Sequence, residues 1–141
     1  MKKIITFTFV LVSFLVLYSC EKERKLYDDV PQVAFALKTY SFNVSSTTSS
    51  VTIPVQLIAK EPQGAINATV GVNLETNCSS AVSVPATITI DAGRFIANLV
   101  IGVTHANLNA GNGNRLVLDL AASNIKVAGN YKTVTITLNK Q

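Results

Sequence analysis

The sequence of 141 residues predicts an all-β fold, a two-sheet antiparallel sandwich of about 7–8 strands. From residue 32 onward, apolar residues alternate with polar ones in short segments rich in valine, isoleucine and threonine. Turn-forming residues separate these segments at intervals of about ten residues. No stretch after residue 32 has the apolar period of an amphipathic helix. One-sided strands of this kind bury their apolar faces by packing two sheets against each other, and a closed barrel is the alternative.

Four strands are predicted in the first half of this region, at 32–38, 40–44, 51–59 and 68–74. Pro54 interrupts the third of them. Because proline cannot donate a ladder hydrogen bond, that strand is expected at a sheet edge or with a bulge at Pro54. The side chains expected to point inward are Val33, Phe35, Leu37, Tyr40, Phe42, Val44, Val51, Ile53, Val55, Leu57, Ala59, Val70, Val72 and Leu74.

Four more strands are predicted in the second half, at 86–90, 95–103, 115–120 and 132–138. The turns Asp91-Ala92-Gly93 and Asn112-Gly113 are typical of β-hairpins. The sequence has no tryptophan, so the sandwich is immunoglobulin-like in the broad architectural sense alone. The inward side chains expected here are Ile88, Ile90, Phe95, Ala97, Leu99, Ile101, Val103, Leu116, Leu118, Leu120, Val134, Ile136 and Leu138.

The first twenty residues are typical of a bacterial lipoprotein signal peptide. Lys2 and Lys3 precede an uncharged, mostly apolar run at 4–17, which is shorter than the roughly 20 residues of a spanning helix. Leu17-Tyr18-Ser19-Cys20 follows, with a small residue just before the cysteine. We therefore expect a signal peptide at 1–19, lipid attachment at Cys20, a charged tether at 20–31 and one β-sandwich domain at 32–141.

The charge balance argues against nucleic acid as a partner. Removing residues 1–19 leaves ten basic against eight acidic residues, and no cluster of lysine and arginine occurs after Lys25. The expected partners are instead the membrane, through the lipid on Cys20, and a protein or glycan ligand.

Residues that could support catalysis are few, and the sequence predicts a non-enzyme without metal or cofactor. His105 and Cys78 cannot complete a tetrahedral zinc site, and Gly111-Asn112-Gly113 precedes no helix that could bind phosphate. Cys78 is either a reactive or intermolecular thiol or a semi-buried loop residue, and the second interpretation is favoured because no acid, base or second cysteine adjoins it. The carboxylates of the domain show no pattern that would bring two into one cleft; they are Glu61, Glu75, Asp91 and Asp119.

Aromatic residues could form a platform for sugars. The phenylalanines of the domain are in phase with the core, which leaves Tyr27, Tyr40 and Tyr131. A tyrosine at the start of the last strand is more often a packed residue with a bonded hydroxyl than a sugar-stacking one.

The Leu17–Cys20 motif, the charged Glu21-Lys22-Glu23 and the segment 86–103, with Ala92-Gly93 between two strands, resemble small lipoproteins of Bacteroidota with a Calx-beta-like sandwich domain. The resemblance implies an outer-membrane lipoprotein, palmitate-bearing at Cys20, on the cell surface or the periplasmic face. It does not imply calcium binding, because 78–82 and 105–109 lack the family's acidic residues. Two functions follow as hypotheses: a non-catalytic, lipid-anchored binding or scaffolding module, or a glycan-binding accessory lipoprotein of a polysaccharide-uptake system.

Overall fold

The computed structural model describes residues 30–61, 63–111, 113–122 and 125–141. The expected signal peptide at 1–19, Cys20, and most of the expected tether at 20–31 lie outside these residues. The described part confirms the all-β sandwich. It also contains short 3₁₀ turns at Ser79–Ala81, His105–Asn107 and Gly129–Tyr131. None of the helices in this part is long and apolar enough to cross a membrane. Its ten strands are β1 (Gln32–Phe35), β2 (Thr39–Val44), β3 (Ser50–Ile58), β4 (Ile66–Val72), β5 (Val82–Ser83), β6 (Thr87–Ile90), β7 (Ile96–Val103), β8 (Asn114–Ala122), β9 (Lys126–Val127) and β10 (Thr133–Lys140).

The strands divide between the sheets by number. The odd sheet has the order β5-β7-β3-β1-β9, and the even sheet has the order β2-β10-β8-β4-β6. Each connection between successive strands therefore passes from one sheet to the other. β5 and β9, with two residues each, are the strands that the apolar alternation did not predict, because two residues are too short to show a period.

The hairpin predictions for 91–93 and 112–113 were wrong. β6 and β7 lie in different sheets, although Arg94 N–H donates to the Asp91 carbonyl at 3.0 Å and Gly93 adopts φ +78° in the turn between them. β7 and β8 likewise lie in different sheets, and Asn112 is outside the described residues. A turn residue specifies that the chain reverses, but it does not specify which strand becomes the hydrogen-bonded neighbour.

Two strand pairs also depart from a purely antiparallel arrangement. β1 pairs with β9 and β2 pairs with β10 in parallel, while the other six pairs are antiparallel. Parallel neighbours require a crossover connection rather than a hairpin. The regular crossing between the sheets supplies such connections.

The core between the sheets contains most of the side chains expected to point inward. Val33, Ile53, Leu99 and Ile136 are buried, as the alternation predicts. Four expected core residues lie at the last residue of a strand or outside the strands and are exposed. Leu37 and Leu74 follow the ends of β1 and β4, Val72 is the last residue of β4, and Phe95 precedes the start of β7. The phase of the pattern was correct, but its extent along the chain was overestimated.

Pro54 lies on an interior strand, so the prediction of an edge strand was wrong. β3 pairs with β7 on one side and with β1 on the other. The Pro54 carbonyl accepts a hydrogen bond from Ala36 N–H at 3.2 Å, one residue after β1 ends. The N–H and C=O of a strand residue point to the same side, so the nitrogen of Pro54 also faces the chain just after β1. Pro54 lacks an N–H there, but β1 has already ended, so no hydrogen bond of the ladder is lost.

Asn114 is the buried polar residue of the described core. Its side-chain amide donates to the carbonyls of Asn109 at 2.9 Å and Leu138 at 3.1 Å, and its oxygen accepts from Asn109 N–H at 2.8 Å. These bonds fasten the connection from β7 to the first residue of β8, so the polar groups of that loop are satisfied inside the protein.

Candidate functional site

A group of polar side chains lies on the outer face of the even sheet. Alternation along β8 and β10 points Arg115, Asp119 and Thr133 away from the core, and the segment after β4 adds Asn73 and Glu75. We call these five residues the polar platform. Its members come from β8, β10 and the segment that follows β4, which lie side by side in one sheet and support them.

Asp119 is the best-ordered group of the polar platform. Its half-buried carboxylate accepts hydrogen bonds from Thr133 Oγ1 at 2.5 Å and from Asn73 Nδ2 at 2.7 Å. The bond from Thr133, and then the bond from Asn73, hold the pKa of the Asp119 carboxyl below its ordinary value; partial burial opposes this shift, and the charge of Lys132 adds to it. Asp119 is therefore a fixed anion with lone pairs left for further donors.

Space is open beside this carboxylate because its neighbour on β4 is Gly71. The register places Gly71 directly opposite Asp119. A Cβ atom at Gly71 would meet no atom closer than the Asp119 backbone oxygen, at 4.0 Å. A ligand hydroxyl could therefore approach Asp119 over Gly71 without displacing a side chain.

Arg115 and Glu75 form an exposed ion pair at the other end of the polar platform. Asn73, Thr76 and Asn77 hold the segment that carries Glu75 against β8. Thr76 Oγ1 accepts from Val117 N–H at 2.9 Å and donates to its carbonyl at 3.1 Å. Asn77 Oδ1 accepts from Arg115 N–H at 2.7 Å, and Asn73 N–H donates to the Val117 carbonyl at 2.9 Å.

The polar platform presents a carboxylate and a guanidinium in fixed positions. Asp119 and Arg115 are four residues apart on one strand, which places their Cα atoms about 13 Å from each other. Hydroxyl-rich ligands require acceptors and donors spaced along a surface in this way. The arrangement is suited to polar recognition.

The other predicted candidates do not converge on one site. His105 lies in a 3₁₀ turn, where Nε2 is 2.9 Å from the Gln141 backbone oxygen. Glu61 follows β3, Asp91 lies in the turn after β6, and both are exposed. Within the described residues, no group of three histidine, cysteine, aspartate or glutamate side chains could hold a metal ion.

Cys78 is part of the hydrophobic core. Its thiol is buried beside the 3₁₀ turn Ser79–Ala81, where burial raises its pKa. This location agrees with the loop interpretation favoured from the sequence and makes the thiol a poor nucleophile at neutral pH.

The two tyrosine candidates within the described residues have different surroundings. Tyr40 packs partly against the core and stacks on Phe42, with ring centroids 6.1 Å apart. Tyr131 is exposed rather than packed, and Lys38 Nζ lies 5.4 Å from its ring centroid. Tyr27 lies outside the described residues.

Sequence reasoning named two acidic members of the polar platform, Glu75 and Asp119, but not their partners. Asp119 lies on β8, and Glu75 lies in the turn after β4. The outward phase of the predicted strand 115–120 could have placed Arg115 and Asp119 on one face. Asn73 and Thr133 depend on contacts across strands, which periodicity does not report.

Comparisons with known proteins show the fold. No family model and no curated protein sequence matches the chain. A Bacteroides ovatus structure named "putative carbohydrate binding protein" matches with TM-score 0.59 and 19% identity, over 77% of this chain and 37% of that one. The apo Calx CBD1 domain matches with TM-score 0.61 and 10% identity, over 79% and 98%. The periplasmic chaperone SfaE matches with TM-score 0.54 and 12% identity, over 77% and 58%.

These neighbours are binding, chaperone or unknown-function proteins. The chain spans well under half the length of the Bacteroides ovatus carbohydrate-binding protein and nearly all of the Calx domain. At such low identity, the comparisons establish a Calx-beta-like, immunoglobulin-like sandwich and leave its activity to the residues of this chain.

Proposed function

We propose that this protein is a non-catalytic, lipid-anchored binding module of the bacterial cell envelope. The polar platform carries the proposal for the domain, because its side chains are ordered by one another and one side of Asp119 is open. The signal-peptide pattern ending at Cys20 carries the proposal for the anchor. Together they describe a β-sandwich domain held at a membrane by a lipid on Cys20 and a charged tether.

The anchor is tested by fractionating cells that express the full chain. We expect the wild-type protein in the membrane fraction and Cys20→Ser in the soluble fraction, because the lipid is the proposed attachment. Cys78→Ser is the matched control, since it removes the other cysteine of the chain and should stay with the membranes. Membrane retention of Cys20→Ser would contradict the lipid anchor.

Protease treatment of intact cells then determines the side of the membrane. Cleavage on intact cells would locate the domain on the surface, whereas protection until lysis would locate it in the periplasm. Glu21, directly after Cys20, resembles the acidic surface-export signals of Bacteroidota, and Lys22 interrupts the acidic stretch. On this resemblance we expect cleavage on intact cells.

A specific observation favours a glycan as the ligand of this module. The polar platform combines a carboxylate, a guanidinium, an amide and a hydroxyl on one side of the even sheet, and these groups match the donors and acceptors of sugar hydroxyls. The likeness to the Bacteroides ovatus protein named for carbohydrate binding adds support at the level of the fold. The glycan would then reach the protein as part of polysaccharide uptake.

Titration of the purified protein against a panel of neutral and acidic polysaccharides tests this proposal. Asp119→Asn removes the charge, and Gly71→Leu fills the space beside it while leaving the carboxylate unchanged. We expect Asp119→Asn to weaken binding about tenfold or more, because hydrogen bonds to charged groups contribute about 1.5–3 kcal/mol. We expect Gly71→Leu to weaken binding by a similar factor, because its side chain would block the approach to the carboxylate. Asp91→Asn, a distant exposed carboxylate, is the control and should bind like the wild type. Equal binding by all variants, or no binding to any glycan, would contradict the proposal.

A further inference from the structure

Part of β7 is an unpaired sheet edge. β3 pairs with β7 along one side, whereas β5 covers the other side at Gly102 and Val103 alone. In the part of the chain that the structure describes, no strand pairs with that side from Ile96 to Ile101. We call these six residues the free edge.

Backbone direction within the free edge follows from the β3–β7 ladder. Phe95 accepts from Leu57 N–H and Val103 donates to the Ser49 carbonyl, so odd-numbered residues of β7 face β3. The alternate residues Ile96, Asn98 and Val100 therefore direct their N–H and C=O groups outward. Their side chains are exposed on the outer face of the odd sheet.

Pro85 explains why β5 stops short. The register of β5 and β7 pairs Ser83 with Gly102, so residue 85 would oppose Val100 if β5 continued. Proline has no N–H for that position and cannot extend the ladder. The free edge is thus left open by the sequence itself rather than by a loose loop.

The free edge lacks the features that protect sheet edges. The segment 95–103 contains no charged residue and no proline, and Ile96 and Val100 are 60% and 50% exposed. The outward side chains of the even-sheet edge strands are polar instead: Thr39, Ser41 and Asn43 on β2, and Thr87 and Thr89 on β6. An uncharged, apolar, unpaired edge of this length is a site for strand addition.

We propose that the free edge pairs with the free edge of a second copy of this chain. The two strands would run antiparallel with Asn98 opposite Asn98 of the second copy. Ile96 would then lie opposite Val100 of the second copy, and the odd sheets would join into one continuous sheet across a two-fold axis. This occupant is favoured because the five residues from Ile96 to Val100 are their own complement, with apolar residues on both sides of a central asparagine.

The same register satisfies the backbone. Ile96, Asn98 and Val100 all direct hydrogen-bonding groups outward, so each pair in this register can exchange both of its hydrogen bonds. In each copy, the pairing between copies would end where β5 already pairs with β7, at Gly102. No like charges approach each other along the contact, because the segment is uncharged.

Disulfide cross-linking of the full chain in cells tests this pairing. In Asn98→Cys, the two Cα atoms would be about 5.5 Å apart, within the roughly 4.4–6.8 Å that disulfides span. Mild oxidation should shift the protein, on a non-reducing gel, from the mass of one chain to that of two. Thr87→Cys is the matched control, an exposed residue of an edge strand in the other sheet, and should remain at the mass of one chain. Wild-type protein reports any background from Cys20 and Cys78.

A second pair of variants tests the register independently of Asn98. When the single variants Ile96→Cys and Val100→Cys are co-expressed as two separate chains, they should cross-link to each other. Neither variant should cross-link when it is expressed alone, because the same residue in the two copies would be roughly 13 Å or more apart. The proposal is overturned if Asn98→Cys stays at the mass of one chain, if Thr87→Cys cross-links equally, or if Asn98→Cys shifts to the mass of this chain plus a different protein. The result is independent of glycan binding, which concerns the opposite sheet.

Discussion

Replacing Leu99 by alanine tests the packing of the two sheets. The side chain is 1% exposed and lies on the inner face of β7. The substitution removes three carbon atoms, worth about 2.4 kcal/mol at about 0.8 kcal/mol per buried methylene. Because both sheets constrain the site, the remaining cavity adds to this loss, and we expect a decrease in unfolding free energy of about 3–4 kcal/mol.

Chemical denaturation followed by far-UV circular dichroism measures this loss, since the sequence has no tryptophan to report on the core. Leu74→Ala makes the same chemical change at a side chain that is 103% exposed, and it should alter stability by less than about 0.5 kcal/mol. A loss below about 1 kcal/mol for Leu99→Ala, or equal losses for both variants, would refute the assignment of β7's inner face to the core.

Three further predictions concern single residues. The pKa of the Asp119 carboxyl is lowered in the folded protein, so its contribution to the free energy of unfolding is present at neutral pH. That contribution is lost as the pH falls below about 4, through the pKa of the folded state. Asp119→Asn should therefore lose less stability than the wild type on acidification, as measured by denaturation at several pH values. Asn114→Ala leaves buried loop groups without partners and should cost about 1–3 kcal/mol, and a neutral result in the same assay would show that the connection is not fastened there. Gly93→Ala should cost about 1–2 kcal/mol because φ is +78°, whereas Gly64→Ala should be near neutral; equal melting temperatures for the two variants would contradict this.

The fold class and most of the core could be predicted from the sequence because strand alternation is a local property. Val51, Ile53, Val55 and Leu57 alternate inward in the sequence and in the structure. The exposed ends, such as Leu74, were overestimated because alternation continues into turns where no partner strand is present to cover the side chain.

The strand order could not be predicted from local signals. Gly93 marks a reversal, but whether the chain returns beside β6 or crosses to the other sheet depends on packing across the sandwich. The prediction of an edge strand considered only the strand that contains Pro54. A proline is accommodated there because β1 ends before the residue that would face it. Both outcomes rest on non-local contacts.

The candidate site divides in the same way. The acids Glu75 and Asp119 were visible in the sequence, but their ordering comes from residues far along the chain. Thr133 and Asn73 meet Asp119 because β10 and β4 flank β8. A binding surface on a sheet face is composed across strands, so single-strand periodicity identifies its members without assembling them.

Mass spectrometry of the mature N-terminal peptide, taken from the membrane fraction of expressing cells, tests the proposed lipid anchor most directly. The proposal predicts a peptide that begins at Cys20 and carries acyl chains, with residues 1–19 removed. A peptide that begins elsewhere, or an unmodified Cys20 in mature protein, would contradict the lipid anchor and with it the proposal of a membrane-tethered binding module.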